Sequence, residues 1–241
     1  MKKITILTVC LNAEKTIEKT ILSVISQTYK NIEYVIVDGE SSDGTLAIID
    51  KYRNKQFVII SEPDRGIYDA INKGLNMASG DFLLILGADD SLAGNDVIEK
   101  IEHYLTNEYI YYGNVFRTIH KDVYCGNFNS YKMAVKNISH QSIFYPKNIY
   151  KSKKYIIEYK IFADYAYNLE LWRTHKFYYI PIVVANFNDG ASSATVWDFE
   201  FEKNRNILIC KNLGRSQYYY SVVYRWLSSL YHRFRNSVTV S

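Results

Sequence analysis

Apolar positions in the first ninety residues follow two periods that take turns along the chain. The runs ITILTVC (4–10), IEYVIVD (32–38), FVIIS (57–61) and DFLLIL (81–86) are nearly continuous, as in strands buried on both faces. Between them the spacing becomes helical. Ile17, Ile21, Val24 and Ile25 fall at i, i+4, i+7 and i+8, with Asn12 as candidate N-cap. After the loop DGESSDGT, Leu46, Ile49 and Tyr52 line one side of a second helix. GIYDAINKGLNMASG predicts a third, closed by Gly80. This alternation predicts an α/β fold: a mostly parallel sheet with right-handed crossovers and helices on both faces.

Beyond Ser91 the pattern loosens. A helix through Val97, Ile98, Ile101 and Leu105 precedes the strand YIYYGNV (109–115). A stretch rich in Tyr, Lys and Asn then reads as irregular to about residue 160. A helix carrying Tyr165, Leu169 and Trp172 on one face follows, then the strand FYYIPIVVANF (177–187) and a helical tail. There is no internal repeat and no clean linker.

Composition narrows the function classes. With 241 residues, 48% of them hydrophobic, the chain can bury one sizeable core. Its net charge of +4 is too small to indicate a nucleic-acid partner without a basic patch. Cys10, Cys125 and Cys210 are odd in number and scattered, which fits a reducing compartment and no disulfide framework. The opening MKKITILTVCLN has a short apolar run ending at Asn12 and Glu14, and reads as a first strand, not a signal peptide. No apolar run approaches the roughly 20 residues a bilayer span requires. The 23 tyrosines are the compositional excess; they fit tolerant packing or a carbohydrate or membrane-interface surface.

Open parallel sheets bind ligands beyond the carboxyl ends of their strands. In order those ends read Cys10-Leu11-Asn12, Asp38-Gly39, Glu62-Pro63-Asp64-Arg65 and Gly87-Ala88-Asp89-Asp90. Three of the four carry an acid. No GxGxxG or GxxxxGK[ST] cradle follows the first strand, which argues against a dinucleotide enzyme or a P-loop kinase. The glycine-free CLNAEKT argues equally against a sugar nucleotidyltransferase. Carboxylates without a glycine cradle fit a nucleotide whose phosphates are held through a divalent metal. Asp89 and Asp90 would repel each other without a cation nearby.

Several segments carry a family likeness: TVCLNAEKTIEKTILSVISQTY, EYVIVDGESSDGT, EPDRGIYDAINKGLNMASGD, LILGADD, ISHQSIFYP and FADYAYNLELW. Together they resemble the inverting family 2 glycosyltransferases of the GT-A (Rossmann-like) fold, bacterial enzymes that build surface polysaccharides from nucleotide sugars. The resemblance implies a nucleotide-sugar donor, most simply a UDP-sugar. It implies a polyprenyl-diphosphate-linked saccharide acceptor, in O-antigen, capsule or exopolysaccharide synthesis, and no nucleic acid. Asp38 would accept a hydrogen bond from the base, with Asn12 flanking it, and Asp64 and Arg65 would lie near nucleoside or diphosphate. Asp89 and Asp90 correspond to the family's metal motif, for Mn2+ or Mg2+. Gly87 stands where that motif usually has an aspartate or asparagine, which removes a side chain expected near the ribose. Asp164 corresponds to the base that deprotonates the acceptor hydroxyl. His140 would sit near the diphosphate or acceptor, and Gly190 and Ser192 belong to a degraded glycine-rich loop near the donor. Plainer roles stand beside these: turn capping for Asp38, a helix N-cap for Asn12 or the Asp89–Asp90 pair, and a helix-dipole carboxylate for Asp164. A nucleotide-sugar-binding module without catalysis would keep the same donor residues.

The expected organisation is a glycosyltransferase domain over residues 1–200, with a nucleotide-sugar half (1–95) and an acceptor half (96–200), then a tail (201–241). From Lys203 onward there are seven Lys or Arg residues and no acid. Tyr219, Val223, Trp226, Leu227, Leu230 and Phe234 form one helical stripe, opposite Ser221, Arg225, Ser228, His232 and Arg235. Such a basic amphipathic helix fits an anionic membrane surface, and a cytoplasmic protein peripheral to the inner face of the plasma membrane. The same stripe fits a helix packed on the body or in a dimer.

Overall fold

The computed structural model describes residues 1–190 and 197–238, with side chains to residue 231. Its first half runs β1 (Ile4–Cys10), α1 (Ile17–Ile25), β2 (Ile32–Asp38), α2 (Thr45–Tyr52), β3 (Phe57–Ser61), α3 (Ile67–Met77) and β4 (Phe82–Ile85). β1 pairs in parallel with β2 and β4, and β2 with β3. Every residue of β1 is buried, as its unbroken apolar run predicts. Alternate side chains serve opposite faces. Leu7, Val9, Val35, Val37 and Ile85 enter a core shared with α3, whereas Ile4, Ile6, Tyr34, Ile36 and Leu84 enter one shared with α1.

The second half adds β5 (Ser91–Leu92), α4 (Val97–Glu102), β6 (Ile110–Arg117), β7 (Asp122–Tyr124), α5 (Ser130–Met133), a 3-10 turn (His140–Ser142), β8 (Ile143–Pro146) and α6 (Lys147–Ser152). It ends with α7 (Ala163–Thr174), β9 (Phe177–Phe187), α8 (Phe199–Leu213) and α9 (Arg215–Val238). The strand order is β3-β2-β1-β4-β8-β6-β9-β5, with β7 on β6. β8 lies antiparallel between β4 and β6, while β6 and β9 are parallel. The expected α/β fold with helical tail therefore stands, and the sheet is mixed, parallel on the β1 side and antiparallel around β8. The stretch read as irregular to about residue 160 holds β7, α5, β8 and α6, each too short to display a period.

Two local expectations are corrected. α3 ends at Ala78, in extended geometry, and Gly80 does not close it. Gly80 instead lies so near β1 that a Cβ there would stand 2.6 Å from the Thr5 nitrogen. Nor does Asn12 cap α1, whose N-cap position is Thr16. Asn12 takes a positive φ of 50° and turns its side chain to the loop after β2. All three cysteines are free. Among the described residues no helix is long and apolar enough to cross a membrane.

Candidate active site

The carboxyl ends of β1, β2 and β4 open on one side of the sheet, and the second half supplies the facing wall. At the end of β4 the chain turns through Gly87, with the Asp90 N–H donating to the Gly87 carbonyl at 3.1 Å. The buried Thr20 hydroxyl of α1 donates to the Asp90 carbonyl at 2.6 Å and lies 3.0 Å from that of Ala88. A threonine on the otherwise apolar buried face of α1 thus clamps the loop. Two distant groups then fix the Asp90 side chain: the Asn188 N–H donates to Oδ1 at 2.8 Å and Gln141 Nε2 to Oδ2 at 2.9 Å. Burial lifts the Asp90 carboxyl above its ordinary value, with help from the Asp89 charge and against those two hydrogen bonds.

Asp89 is only half-buried. Its Oδ2 accepts from Asn188 Nδ2 at 3.1 Å. Among the described residues no group of three His, Cys, Asp or Glu side chains forms a metal cage. The donor set nevertheless fits a hard cation that draws most of its ligands from water and phosphate: two adjacent carboxylates, one of them outward, with no cationic side chain bonded to either among the described residues.

At the end of β2, Asp38 is fully buried and is held by four protein groups. Ser41 donates through both its hydroxyl and its backbone N–H (3.0 Å), Ser61 through its hydroxyl (2.7 Å), and Cys10 through its thiol (3.6 Å). Burial opposes its charge, but the serine hydrogen bonds prevail and hold the carboxyl below its ordinary value. Asp38 therefore contributes no surface to the cleft. The outward polar groups there are Asn12, Ser41 and Ser42, tied together by the Asn12 N–H to Ser41 Oγ (2.8 Å) and the Ser42 N–H to Asn12 Oδ1 (2.9 Å). Asp64 lies against Gly39 and accepts from the Gly66 N–H at 2.8 Å. Arg65 pairs weakly with Asp69 in the first turn of α3 and leaves its guanidinium mostly in solvent.

Across the cleft, Asp164 sits in the first turn of α7 with little exposed surface. Its Oδ2 accepts from Asn137 Nδ2 at 2.8 Å and lies 3.3 Å from His140 Nδ1. Its Oδ1 accepts from the Tyr165 N–H at 2.7 Å. Behind Asn137 runs a buried relay, from the Tyr145 hydroxyl to Asn168 Oδ1 (2.8 Å) and from Asn168 Nδ2 to Asn137 Oδ1 (3.0 Å). The 3-10 turn thus touches both ends of the cleft: His140 reaches Asp164, and its neighbour Gln141 reaches Asp90.

Asp89, Asp90, His140 and Asp164 are therefore brought together, while Asn12 and Asp38 form a second corner beside Asp64 and Arg65. Gly190 is exposed and supports the turn that presents Asn188; Ser192 lies outside the described residues. Sequence reasoning missed Thr20, Asn137, Gln141 and Asn188. Thr20 and Gln141 do lie inside the quoted segments TVCLNAEKTIEKTILSVISQTY and ISHQSIFYP, where Thr20 is a polar residue on an apolar helical stripe.

A GT-A-like α/β sheet with an acid-lined cleft at its strand ends defines the class. The sequence matches the profile described as Glycosyl transferase family 2 over residues 5–173, and the chain belongs to that family. It is 32% identical over 204 residues to a PGL/p-HBAD biosynthesis glycosyltransferase of Mycobacterium tuberculosis, 80% of each chain. It is 33% identical over 132 residues to the Escherichia coli UDP-Glc:alpha-D-GlcNAc-diphosphoundecaprenol beta-1,3-glucosyltransferase WfaP, 54% of this chain and 52% of that one. In fold it is similar to S. aureus TarS 1-349 in complex with UDP-GlcNAc (TM-score 0.71, 18% identity, 87% of this chain and 67% of that one). The chain spans 40% of the longer S. aureus TarS chain. It is also similar to the mannosyltransferase PcManGT from Pyrobaculum calidifontis in complex with GDP-Man and Mn2+ (TM-score 0.65, 16% identity, 77% and 56%).

Proposed function

We propose that this glycosyltransferase moves a sugar from a UDP-sugar to a polyprenyl-diphosphate-linked saccharide, with inversion at the anomeric carbon. The observation that carries the reading is the His140–Gln141 turn, which joins the Asp164 carboxylate and the Asp89–Asp90 pair into one cleft. A binding module without catalysis would have no need of a carboxylate held opposite the donor corner by Asn137 and His140. The E. coli relative, named for a UDP-Glc donor and a diphosphoundecaprenol-linked acceptor, supports both substrate classes.

The Asn12–Ser41–Ser42 corner receives the base, with Asp38 holding Ser41 from behind. Asp64 and Arg65 lie toward the nucleoside and diphosphate. Asp89, backed by Asp90, would hold Mn2+ or Mg2+, which when bound neutralises charge on the diphosphate leaving group. Asp164 accepts the proton of the acceptor hydroxyl as that oxygen attacks the anomeric carbon from the face opposite the diphosphate. The carbon–oxygen bond to the diphosphate breaks in the same displacement, so configuration inverts. His140 and Asn137 orient Asp164. In this reading residues 1–95 bind donor, residues 96–200 bind acceptor, and residues 201–241 form the tail of a cytoplasmic enzyme peripheral to the inner face of the plasma membrane. The product belongs to O-antigen, capsule or exopolysaccharide synthesis.

A screen of nucleotide sugars for hydrolysis, with manganese present and then chelated, tests the donor and the metal. Hydrolysis of a UDP-sugar that stops on chelation is expected; metal-independent turnover would sink the metal role. Asp164→Asn should bind UDP normally and lose at least about a hundredfold in turnover. Unchanged turnover would remove Asp164 as the base.

A further inference from the structure

Helix α9 is packed the wrong way round for a helix of a globular core. Its polar side faces the protein: Ser221 is 0% exposed, while Arg225 donates to the Ser221 carbonyl at 3.2 Å and to Asn206 of α8. Its apolar side faces outward, with Tyr219 64%, Val223 53%, Trp226 61% and Leu227 53% exposed. A surface helix ordinarily turns its apolar stripe to the core. α8, which carries α9, continues the theme, because Phe199 and Ile207 are exposed on it beside Lys203 and Lys211.

Charge selects the occupant. Residues 203–241 contain seven Lys or Arg and no acid. In a symmetric pairing of two copies, the same patch meets itself. Here that would set the exposed Lys203, Lys211 and Arg215 against their own copies, while Arg205 is paired with Glu202 and Arg225 is turned toward the protein. An anionic bilayer meets both demands at once: its headgroups take the cations, and its interfacial zone takes Trp, Tyr and aliphatic side chains.

We infer that α9 lies flat on an anionic lipid surface, inserting Tyr219, Val223, Trp226 and Leu227 between the headgroups. This names the partner of the peripheral location proposed above. The placement also suits an acceptor carried on a lipid. α9 meets α5 through the Tyr131 and Tyr220 rings, 5.3 Å apart, and the α5 Met133 carbonyl accepts from Tyr165, the residue after Asp164. The docked helix and Asp164 thus belong to one packed half of the molecule.

The full chain should co-sediment with vesicles of equal phosphatidylglycerol and phosphatidylcholine, and do so less as salt rises. Trp226→Ser with Leu227→Ser should lower that partitioning at least about tenfold. Lys211→Glu with Arg215→Glu should weaken binding to the anionic vesicles and leave the weak binding to pure phosphatidylcholine unchanged. All four positions are exposed, so circular dichroism and UDP binding should match the native chain. Native-like sedimentation of the Trp226/Leu227 variant, or none by the native chain, overturns the inference. A dimer in light scattering that this variant dissociates, without vesicle binding, assigns the face to a second copy instead. None of these readouts needs glycosyl transfer, so their failure would leave the donor and acceptor reading standing, and its failure would leave them standing.

Discussion

Gly87 sets the character of the site at the scale of single residues. A Cβ there would stand 2.5 Å from Asp90 Oδ2 and 3.1 Å from Asp89 Oδ1. Asp90 cannot yield without breaking its bonds to Gln141 and Asn188. An aspartate at position 87 would therefore not restore the usual family motif but displace the acids already present. Gly87→Ala should cost about 1–3 kcal/mol of stability by urea unfolding and raise KM for the donor. Gln141→Leu leaves a buried carboxylate short of a donor, a loss of about 1–3 kcal/mol, with kcat falling at saturating donor. The acids themselves were legible in the sequence, because a carboxylate at the end of an apolar strand stands out. Their brackets were not: Gln141, Asn188 and Asn137 are amides in stretches without a period, and their partners lie at distant positions in the chain.

Among the elements, the first four strands and three helices could be read from periodicity, because a strand buried on both faces leaves an unbroken apolar run. The wall that faces them could not. β8 has four residues and α5 four, too few to show a period, and their places are set by pairing with β4 and by contact with α9. α1 shows the complementary case. Its stripe of Ile17, Ile21 and Val24 identifies the helix, but Thr20 on that buried face does the functional work by holding the loop after β4. Thr20→Val keeps the shape and removes the donor. It should cost about 1–3 kcal/mol in thermal unfolding and impair turnover more than UDP binding.

Across the whole molecule, two buried carboxylates at opposite ends of the parallel strands, Glu33 and Asp90, are shifted in opposite directions. At the amino ends, Glu33 is buried and accepts from Lys3 Nζ (2.7 Å), Thr5 Oγ1 (2.6 Å) and the Ser79 N–H (2.7 Å). Burial works against its charge, yet these bonds hold its carboxyl down at about 2, below its ordinary 4.5. A depressed carboxyl stabilises the fold above its unfolded value and stops doing so as pH falls through the folded one. Stability should therefore drop by on the order of 3 kcal/mol between pH 4.5 and pH 2. Glu33→Gln should flatten that limb in unfolding measured across pH. At the carboxyl end of β4 the tendency reverses, with Asp90 lifted by burial beside Asp89, whereas Asp38 at the end of β2 is held down by its serines. Glu33 and Asp38 are satisfied by the protein itself, and Asp90 keeps a raised carboxyl beside a second acid.

The Asn188 bracket also fixes when, during synthesis, this chain can brace its acidic pair. The backbone N–H that holds Asp90 lies 98 residues downstream. Strands β1 to β4 can pair as soon as they leave the ribosome, since domains generally form in order of emergence. The carboxylate pair, however, stays unbraced in that nascent sheet until β9 has been made and docked. A truncated or stalled chain would thus form the parallel sheet without the means to hold its acids in place.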